Sequence, residues 1–398
     1  MPKSKDLGFF YLNGYEIKKG VSMRRVPLDK IQKGAKLGKS IYNSDGKILA
    51  RQGSDLNNNK RSRLNQLGFD SVYITDVLSG DIIEDMISPE LRVTSVKQVK
   101  DVFNSFEMYI RRLERPSSTN LKEAKRQEYE SAAQMSKVAI DLVSELLNKK
   151  HQEINMVDIK NSEGYLYQHS VNVAVLSVIF GVKLGLNKKK LETLAMGSLL
   201  HDIGYNFLDY DLLKKKDFID AEAKQMIYAH PQEGYNYLKD NMDISAHVRL
   251  IVLQHHEWMN GNGYPNGIMD KEISELAKIV AICDVYDALT SDRPHRKAFE
   301  PQEANERMMV ASVEQLDAEL VSEFVKIIIP YPIGTVVRLT NGEIGVVEEI
   351  NIAFPLRPKI KIVKQIVGKV ELYTRDLMKE HHLLIENVEY ELPETCLI

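Results

Sequence analysis

The sequence is poor in cysteine, in excess charge and in long apolar runs, and each scarcity excludes a class of protein. Its two cysteines, Cys283 and Cys396, cannot build a disulfide framework, so we expect a reducing, cytoplasmic setting. The formal net charge of -3 argues against a nucleic-acid polymer as a partner. No apolar stretch approaches the roughly 18 residues of a membrane span, and the N-terminus lacks the apolar run of a secretory signal, so we expect no membrane association. The sequence does not decide between Met1 and Met23 as the first residue.

The composition describes a folded chain with several domains. The length of 398 residues, with 43% hydrophobic and 27% charged residues, indicates a soluble globular protein of two or three domains. Short β-rich runs surround one helical pattern between 24 and 76, whereas 155–330 has almost continuous helical periodicity. The turn Asn341-Gly342 predicts a hairpin in the tail. We therefore predict an α+β module (1–76), a partly helical connector (77–122), an all-helical domain (123–330) and a small β module (331–398).

A long helix is predicted over 123–150, at the start of the helical domain. Apolar residues recur on one of its faces. They are Ala132, Met135, Val138, Ala139 and Leu142. A helix in front of a catalytic core can relay a signal or form a homodimer, and it can equally pack on its own domain. Both readings stay open at the level of sequence.

Between 169 and 284 the chain carries an ordered series of histidine and aspartate residues that suits a metal site. In chain order these are His169, the pair His201-Asp202, His230, the pair His255-His256 and Asp284. At helical spacings an imidazole can take one metal ion and a short carboxylate can bridge two. Burying so many titratable groups together without a cation would be costly. The series therefore predicts two divalent metal ions.

Two neighbouring metal ions point to a class of reaction. At a separation of about 3.5–4 Å they can hold a hydroxide between them and neutralise a phosphoryl group. The hydroxide is then the nucleophile, so no serine or cysteine nucleophile is needed. We predict an enzyme that hydrolyses a phosphate ester.

The residues around this series form a set of motifs. The set comprises the run from Tyr167 to Asn172, His201-Asp202-Ile203-Gly204, His230-Pro231, His255-His256-Glu257, Gly263-Tyr264-Pro265 and the run from Asp284 to Pro294. Together they resemble the HD-GYP family, which consists of metal-dependent cyclic di-GMP phosphodiesterases within the HD hydrolase superfamily. The resemblance covers roughly 123–330 and implies an all-α HD-type catalytic domain. The N-terminal α+β module and the C-terminal β module are similar to the flanks of some bacterial members.

The resemblance implies two sets of metal ligands. The first set is His169, His201, Asp202 and Asp284, and the second is Asp202, as a bridge, with His230, His255 and His256. Iron or manganese is the usual choice of the family. A hydroxide bridging the two ions would cut one phosphodiester of cyclic di-GMP and give linear pGpG, as part of bacterial second-messenger signalling. Asp287, one turn beyond Asp284, is expected to orient a ligand rather than to bind metal.

The resemblance also implies residues that bind the substrate. The loop of Gly263, Tyr264 and Pro265 would line the pocket, with Tyr264 bonding to the nucleotide or stacking on it. Arg293 and Arg296 would contact the substrate phosphates, because guanidinium groups match phosphate oxygens. Ordinary surface charge is the alternative for both arginines.

Two positions depart from the family pattern. Tyr205 stands where the family has lysine after the His-Asp motif, and its neutral hydroxyl would stabilise a transition state less. We take Tyr205 and Asp202 as the candidate catalytic residues. Tyr165 stands where members with a third metal ion have glutamate, so we predict two ions and pGpG as the product.

Two alternatives to the enzyme remain open. The neutral Tyr205 fits a receptor that binds cyclic di-GMP and turns it over slowly or not at all. The other alternative is an HD hydrolase that acts on another nucleotide or another cyclic dinucleotide. The Gly-Tyr-Pro loop argues against this last reading.

Overall fold

Helices fill the middle of the chain, and strands lie at both ends. The computed structural model describes residues 10–12, 15–17, 24–32, 34–43, 45–69, 71–75, 86–113, 118–149, 165–207, 221–291, 296, 298–366 and 369–390. The α-helices in these residues are α1 (Asn58–Gln66), α2 (Pro89–Leu113), α3 (Ser118–Leu147), α4 (Tyr165–Lys183), α5 (Lys188–Leu200), α6 (Ala221–Asn241), α7 (Ala246–Gln254), α8 (Glu275–Leu289), α9 (Pro301–Ala311) and α10 (Ala318–Val325). The strands are β1 (Phe10–Leu12), β2 (Tyr15–Ile17), β3 (Arg24–Pro27), β4 (Lys36–Leu37), β5 (Ile41–Tyr42), β6 (Ile48–Ala50), β7 (Ser71–Thr75), β8 (Val336–Leu339), β9 (Ile344–Glu349), β10 (Lys359–Ile366), β11 (Lys369–Asp376) and β12 (Ile385–Glu389).

The N-terminal region is a small α+β unit, as the sequence predicted. Strands β3, β7 and β4 form an antiparallel sheet, and β5 pairs with β6 in a separate hairpin. Helix α1 begins after Asn57, whose side chain accepts a hydrogen bond from the amide of Lys60. Val26, Leu37 and Phe69 are buried in the core of this unit. The unit therefore has an apolar core separate from that of the helices.

Helices α2 and α3 belong to the core of the helical domain. Val99 and Phe103 of α2 lie in the same apolar cluster as Met135 and Leu142 of α3. The region predicted as a connector thus contains a helix with a fully buried face. All five residues of the predicted apolar face of α3 are buried in this cluster. That face packs within its own chain, and a homodimer through this helix stays a prediction.

Helix α4 is apolar on every side because it runs through the centre of the helical domain. Every residue from Gln168 to Gly181 is buried. The helix is long and apolar enough to span a membrane by composition, but 78% of its apolar window is buried inside the fold. A helix that is hydrophobic all round is expected in the core of a large domain. The polar residues Ser170 and Asn172 interrupt the apolar run, so no membrane span was predicted from the sequence.

The C-terminal region is a five-stranded antiparallel sheet with the order β11-β10-β9-β8-β12. Its first hairpin turns at Asn341-Gly342, where Gly342 has a φ of 83°. Val337, Leu339, Ile360 and Ile362 are buried in its core. The predicted β module is therefore confirmed.

The turn of the β5–β6 hairpin rests on α2. Gly46 has a φ of 78°, and a Cβ at this position would lie 2.6 Å from Cγ1 of Val93. The neighbouring Asp45 forms an ion pair with Lys100 of α2. This contact joins the N-terminal unit to the helical domain.

We predict that Gly46→Ala lowers the free energy of unfolding more than Gly53→Ala does. Both glycines have positive φ, where a Cβ costs about 1–2 kcal/mol. A Cβ at Gly53 meets open space, whereas one at Gly46 meets Val93. The clash should add about 1–3 kcal/mol at Gly46. Denaturant unfolding followed by circular dichroism measures both losses, and equal losses would show that the contact with α2 contributes nothing.

Candidate metal centre

The two pairs of consecutive residues in the predicted ligand series each follow the end of a helix. Helix α5 ends at Leu200, so His201 and Asp202 come directly after it, and α7 ends at Gln254 before His255 and His256. The other three residues lie inside helices. They are His169 on α4, His230 on α6 and Asp284 on α8. Five helices thus bring the seven residues to one place.

Gly204 lets the turn after His201-Asp202 approach α6. A Cβ at Gly204 would lie 1.9 Å from the carbonyl oxygen of His230, which no side chain could tolerate. The amide of Gly234 would lie 2.9 Å from the same Cβ. A glycine is needed here because backbone packs directly on backbone. The close approach places Asp202 beside His230.

The carboxylate of Asp202 lies between two groups of imidazoles. Its Oδ2 lies 3.2 Å from Nε2 of His201 and 3.7 Å from Nε2 of His169. Its Oδ1 lies 3.4 Å from Nε2 of His230 and 3.8 Å from Nε2 of His255. Asp284 reaches the first group, with Oδ1 3.0 Å from Nε2 of His169. Each oxygen of Asp202 therefore faces a different group.

Two ligand groups of this kind can hold two metal ions. One group contains His169, His201 and Asp284, and the other contains Asp202, His230, His255 and His256. In each group the ligand atoms lie within 4.8 Å of one another. The Nε2 atom of His201 is buried, and its 3.2 Å contact with Asp202 lacks the geometry of a hydrogen bond, so a cation would satisfy it. Imidazole and carboxylate together suit divalent iron, manganese or zinc, so the residues fit a divalent metal.

Backbone carbonyls hold three of the imidazole rings. Nδ1 of His201 lies 2.7 Å from the carbonyl oxygen of Ser198, and Nδ1 of His255 lies 2.8 Å from that of Val252. Both carbonyls are in the last turn of a helix, where the backbone leaves them without a partner. With Nδ1 as the donor, Nε2 is left to face the cluster.

His230 lies in the middle of a helix, and there Pro231 leaves a backbone carbonyl available to its ring. Nδ1 of His230 lies 2.6 Å from the carbonyl oxygen of Ile227. In an unbroken helix that carbonyl would accept a hydrogen bond from the amide of the residue four positions later. That residue is Pro231, which has no backbone N–H. The proline therefore frees the carbonyl that orients His230.

A carboxylate holds the remaining ring of the first group. Oδ2 of the buried Asp287 lies 2.6 Å from Nδ1 of His169. Burial alone would lower the pKa of His169, but Tyr165 and the hydrogen bonds to Asp284 and Asp287 outweigh it and raise that pKa well above its usual value. Asp287 thus orients His169 from behind, as the sequence predicted for it.

The pKa shifts of Asp202, His255 and His256 favour the protonation states that metal ligands need. Burial would raise the pKa of Asp202, but His201 and the hydrogen bonds of the imidazoles hold it well below its usual value. Burial lowers the pKa of His255 and lowers that of His256 further. An ionised Asp202 and two neutral rings are competent to coordinate a cation.

The loop after His255-His256 folds back over the cluster of histidine and aspartate residues. The buried carboxylate of Glu257 accepts hydrogen bonds from the amides of Asn266, at 2.8 Å, and Ile268, at 3.1 Å. A Cβ on Gly263 would lie 2.3 Å from the amide nitrogen of Trp258, so only glycine fits there. The peptide bond between Tyr264 and Pro265 is cis. These contacts hold the loop in a fixed position.

Tyr264 is the residue of this loop that reaches the centre. Its ring stacks on His256 at 4.7 Å between centroids, and its amide donates to the carbonyl of His256 at 3.0 Å. Tyr228 of α6 stacks on Tyr264 at 4.2 Å, a contact that the sequence did not predict. The only signal for Tyr228 is its place two residues before His230. Burial and the nearby carboxylates raise the pKa of Tyr264, so its hydroxyl stays protonated.

The two tyrosines that depart from the family both lie on imidazoles. Tyr205 stacks on His230 at 4.1 Å, with 15° between the ring planes. Tyr165 stacks on His169 at 5.4 Å, with 11° between the planes. These two tyrosines therefore each cover one ligand of a different group.

The two predicted phosphate-binding arginines have different outcomes. Arg293 lies outside the described residues. Arg296 donates to the carbonyls of Ala288, at 2.7 Å, and Leu289, at 3.3 Å, at the end of α8, and its guanidinium lies over the ring of Phe299. Arg296 is thereby engaged as a helix cap. This placement gives no support to its predicted contact with phosphate.

The fold and the site together define the class of protein. Residues 151–320 match the family model of the HD domain, and residues 336–391 match that of the KOW domain associated with HD domains. The helical core with its cluster is therefore an HD domain, and the C-terminal sheet is a KOW domain. The predicted resemblance to HD hydrolases is confirmed.

Three relatives have names that state an activity. The chain is 36% identical over 238 residues to the cyclic di-GMP phosphodiesterase PA4108 of Pseudomonas aeruginosa, covering 59% of this chain and 57% of that protein. It is 29% identical over 212 residues to the cyclic di-GMP phosphodiesterase PdeB of Borreliella burgdorferi, covering 53% and 55%. It is 30% identical over 185 residues to the 3'3'-cGAMP-specific phosphodiesterase 1 of Vibrio cholerae, covering 46% and 42%. The chain spans little more than half the length of the first two.

We predict that Asp287→Ala weakens metal binding by about 10- to 100-fold, because His169 loses the group that orients it. Asp287→Asn keeps an oxygen acceptor and should lose less. Competition with a metal-binding dye gives the affinity of each variant. An Asp287→Ala variant that binds metal as tightly as the wild type would remove Asp287 from the centre.

We predict that Glu257→Gln loosens the loop without removing metal. An amide has one acceptor oxygen, so one of the two loop amides loses its partner. A loss of about 1.4 kcal/mol would speed amide exchange of Asn266 or Ile268 about tenfold. Hydrogen exchange measured by NMR, with metal content as the control, tests this. Unchanged exchange at both amides would contradict it.

Proposed function

We propose that this chain is a metal-dependent phosphodiesterase that hydrolyses one phosphodiester bond of cyclic di-GMP and releases linear pGpG. The observation that carries the proposal is the position of Asp202, whose two oxygens face two separate groups of imidazoles. A carboxylate shared in this way is what a binuclear centre requires. The names of the relatives in Pseudomonas aeruginosa and Borreliella burgdorferi support the choice of substrate.

Under this proposal the seven residues act as two ligand sets that share Asp202. His169, His201, Asp202 and Asp284 hold one ion, and Asp202, His230, His255 and His256 hold the other. Two ions of iron or manganese would supply Lewis-acid activation of a water molecule and neutralise charge on the phosphate. Tyr165 offers no carboxylate for a third ion, which favours pGpG over GMP as the product.

The chain's own residues supply the positioning. Asp287 and the three carbonyls fix the rings before any ligand arrives, so the centre needs little rearrangement. Tyr264 offers an aromatic face and a protonated hydroxyl beside His256. With Gly263 and Pro265 it would orient the substrate at the open side of the cluster. Arg293 stays a proposed phosphate contact.

Tyr205 is the specific observation that favours a second candidate function. Its ring covers His230 at 4.1 Å, where the family pattern has a lysine. A neutral hydroxyl can donate a hydrogen bond to the phosphate but adds no positive charge. A receptor that holds cyclic di-GMP and cleaves it slowly or not at all would have this substitution. A second observation, the relative named as specific for 3'3'-cGAMP, keeps another cyclic dinucleotide as an alternative substrate.

The direct test combines metal analysis with product analysis. The protein is purified without oxygen, loaded with ferrous iron or manganese, and incubated separately with cyclic di-GMP and 3'3'-cGAMP. Two ions per chain and release of pGpG are expected. Tight binding without product would select the receptor, and turnover of 3'3'-cGAMP alone would select the other substrate. Three ions per chain would overturn the two-ion assignment.

We predict that Asp202→Ala loses both metal ions and lowers kcat/KM by at least about 10³-fold, because both ligand sets lose a member. Wild-type rates in this variant would exclude the proposed mechanism.

We predict opposite effects for two substitutions of Tyr205. Tyr205→Lys adds a cation near the phosphate and should raise kcat about tenfold or more. Tyr205→Phe removes a hydrogen-bond donor and should lower kcat about fivefold. Steady-state kinetics at saturating metal measures both. Equal rates in the wild type and both variants would remove Tyr205 from the reaction.

The remaining expectations stay proposals. A cytoplasmic location, and the lack of a nucleic-acid polymer or a membrane as partner, follow from composition alone. A homodimer through α3 can be tested by light scattering on the purified chain.

A further inference from the structure

Stacked rings lead outward from the metal centre to the surface of the helical domain. Two rings stack on Tyr264, namely His256 at 4.7 Å and Tyr228 of α6 at 4.2 Å between centroids. The planes of the two tyrosines differ by 12°. Tyr228 is 42% exposed, whereas Tyr264 is half-buried. The ring with room for a further flat group is therefore the outer one, Tyr228.

A cation lies beside this outer ring. Lys224 is one turn before Tyr228 in α6, and its ammonium lies over the ring of Tyr228, 5.4 Å from the centroid. Both side chains are exposed. A cation–π contact at an exposed site is weak, so a ligand can displace it. A flat group stacked on Tyr228 would take the place of the ammonium and leave it, on its flexible stem, at the edge of that group.

The distance of Tyr228 from the metal ligands suits a nucleobase of the proposed substrate. In a cyclic dinucleotide each base is joined to a phosphate through a ribose, so a base must lie away from the ions that hold the phosphate. One ring, that of Tyr264, separates Tyr228 from His256. Every nucleobase has a π face that can stack on an aromatic side chain. Tyr228 is therefore placed to receive a base rather than a phosphate.

The ammonium of Lys224 distinguishes one purine from the other. Lysine can only donate hydrogen bonds. Guanine presents two acceptors, O6 and N7, on one edge, whereas adenine has an amino donor in the place of O6. A base that meets Lys224 at this edge is bound more tightly if it is guanine.

We propose that Tyr228 is the stacking platform for a guanine base of the substrate and that Lys224 donates to O6 and N7 of that base. The proposal rests on the function proposed above, because it concerns a base of the same cyclic dinucleotide. It assigns recognition of the base to two residues that are not metal ligands. Recognition of the base and cleavage of the phosphodiester can therefore be measured separately.

The test of Tyr228 is a binding measurement without turnover. Phosphorothioate cyclic di-GMP, which resists hydrolysis, is titrated into the metal-loaded full chain by calorimetry. Tyr228→Ala should weaken binding about tenfold, and Tyr228→Phe, which keeps the ring, should bind as the wild type does. The matched control is Tyr129→Ala, which removes an exposed tyrosine of α3. Metal content shows that each variant keeps its centre. Unchanged affinity in Tyr228→Ala would overturn the proposal.

The test of Lys224 compares two bases. Lys224→Met should weaken binding of phosphorothioate cyclic di-GMP about tenfold and that of phosphorothioate cyclic di-AMP by less than about threefold. The control is Lys239→Met, which removes an exposed lysine near the other end of α6 and should bind both analogues as the wild type does. Equal losses for the two analogues would show that Lys224 contacts a phosphate, and its assignment to guanine would be wrong.

Hydrolysis of natural cyclic di-GMP separates this proposal from the proposed function. Turnover by the wild type, with KM unchanged in Tyr228→Ala and Lys224→Met, would keep the enzyme and overturn the platform. Binding that depends on Tyr228 and Lys224 without any turnover would keep the platform and reject the hydrolysis. If both proposals hold, KM rises in the two variants and kcat changes less.

Discussion

The carboxylate of Asp202 is the contact on which the arrangement of the site depends. It lies within 3.8 Å of imidazoles that come from four different helical segments. Because Asp202 contacts imidazoles of both ligand groups, it places a negative charge between them. The close packing at Gly204 exists to bring this carboxylate to α6. The rest of the helical domain acts as a frame that holds the rings around it.

Local pattern was enough to predict most of the helices, several of the strands and the members of the cluster, whereas the short strands β1 to β4 and the last strand, β12, were not predicted. The helices, the strand β7 and the hairpin at Asn341-Gly342 follow from periodicity and turn residues, which depend on near neighbours in the chain. The seven residues were found together because their types and order are unusual. Their role as metal ligands stays a proposal.

The sequence did not predict contacts between helices that are far apart in the chain. The stacking of Tyr228 on Tyr264, the cap made by Arg296 and the buried face of α2 all depend on how helices sit side by side. The same helix α2 touches the turn at Gly46 and, through the carbonyl of Phe103, the side chain of Asn206 next to Tyr205. The N-terminal unit is thus joined to the metal centre by one rigid element.

The use of backbone carbonyls to hold three of the rings has an electrostatic consequence. A carbonyl orients an imidazole without adding a formal charge, so the acidic groups near the ions are Asp202, Asp284 and Asp287. Two divalent ions would outweigh these three carboxylates by one charge until a hydroxide forms between the ions, so the centre that awaits its substrate would have a positive potential at its mouth. A chain with a slightly negative net charge would then attract a polyanion at this mouth, and added salt would weaken that attraction.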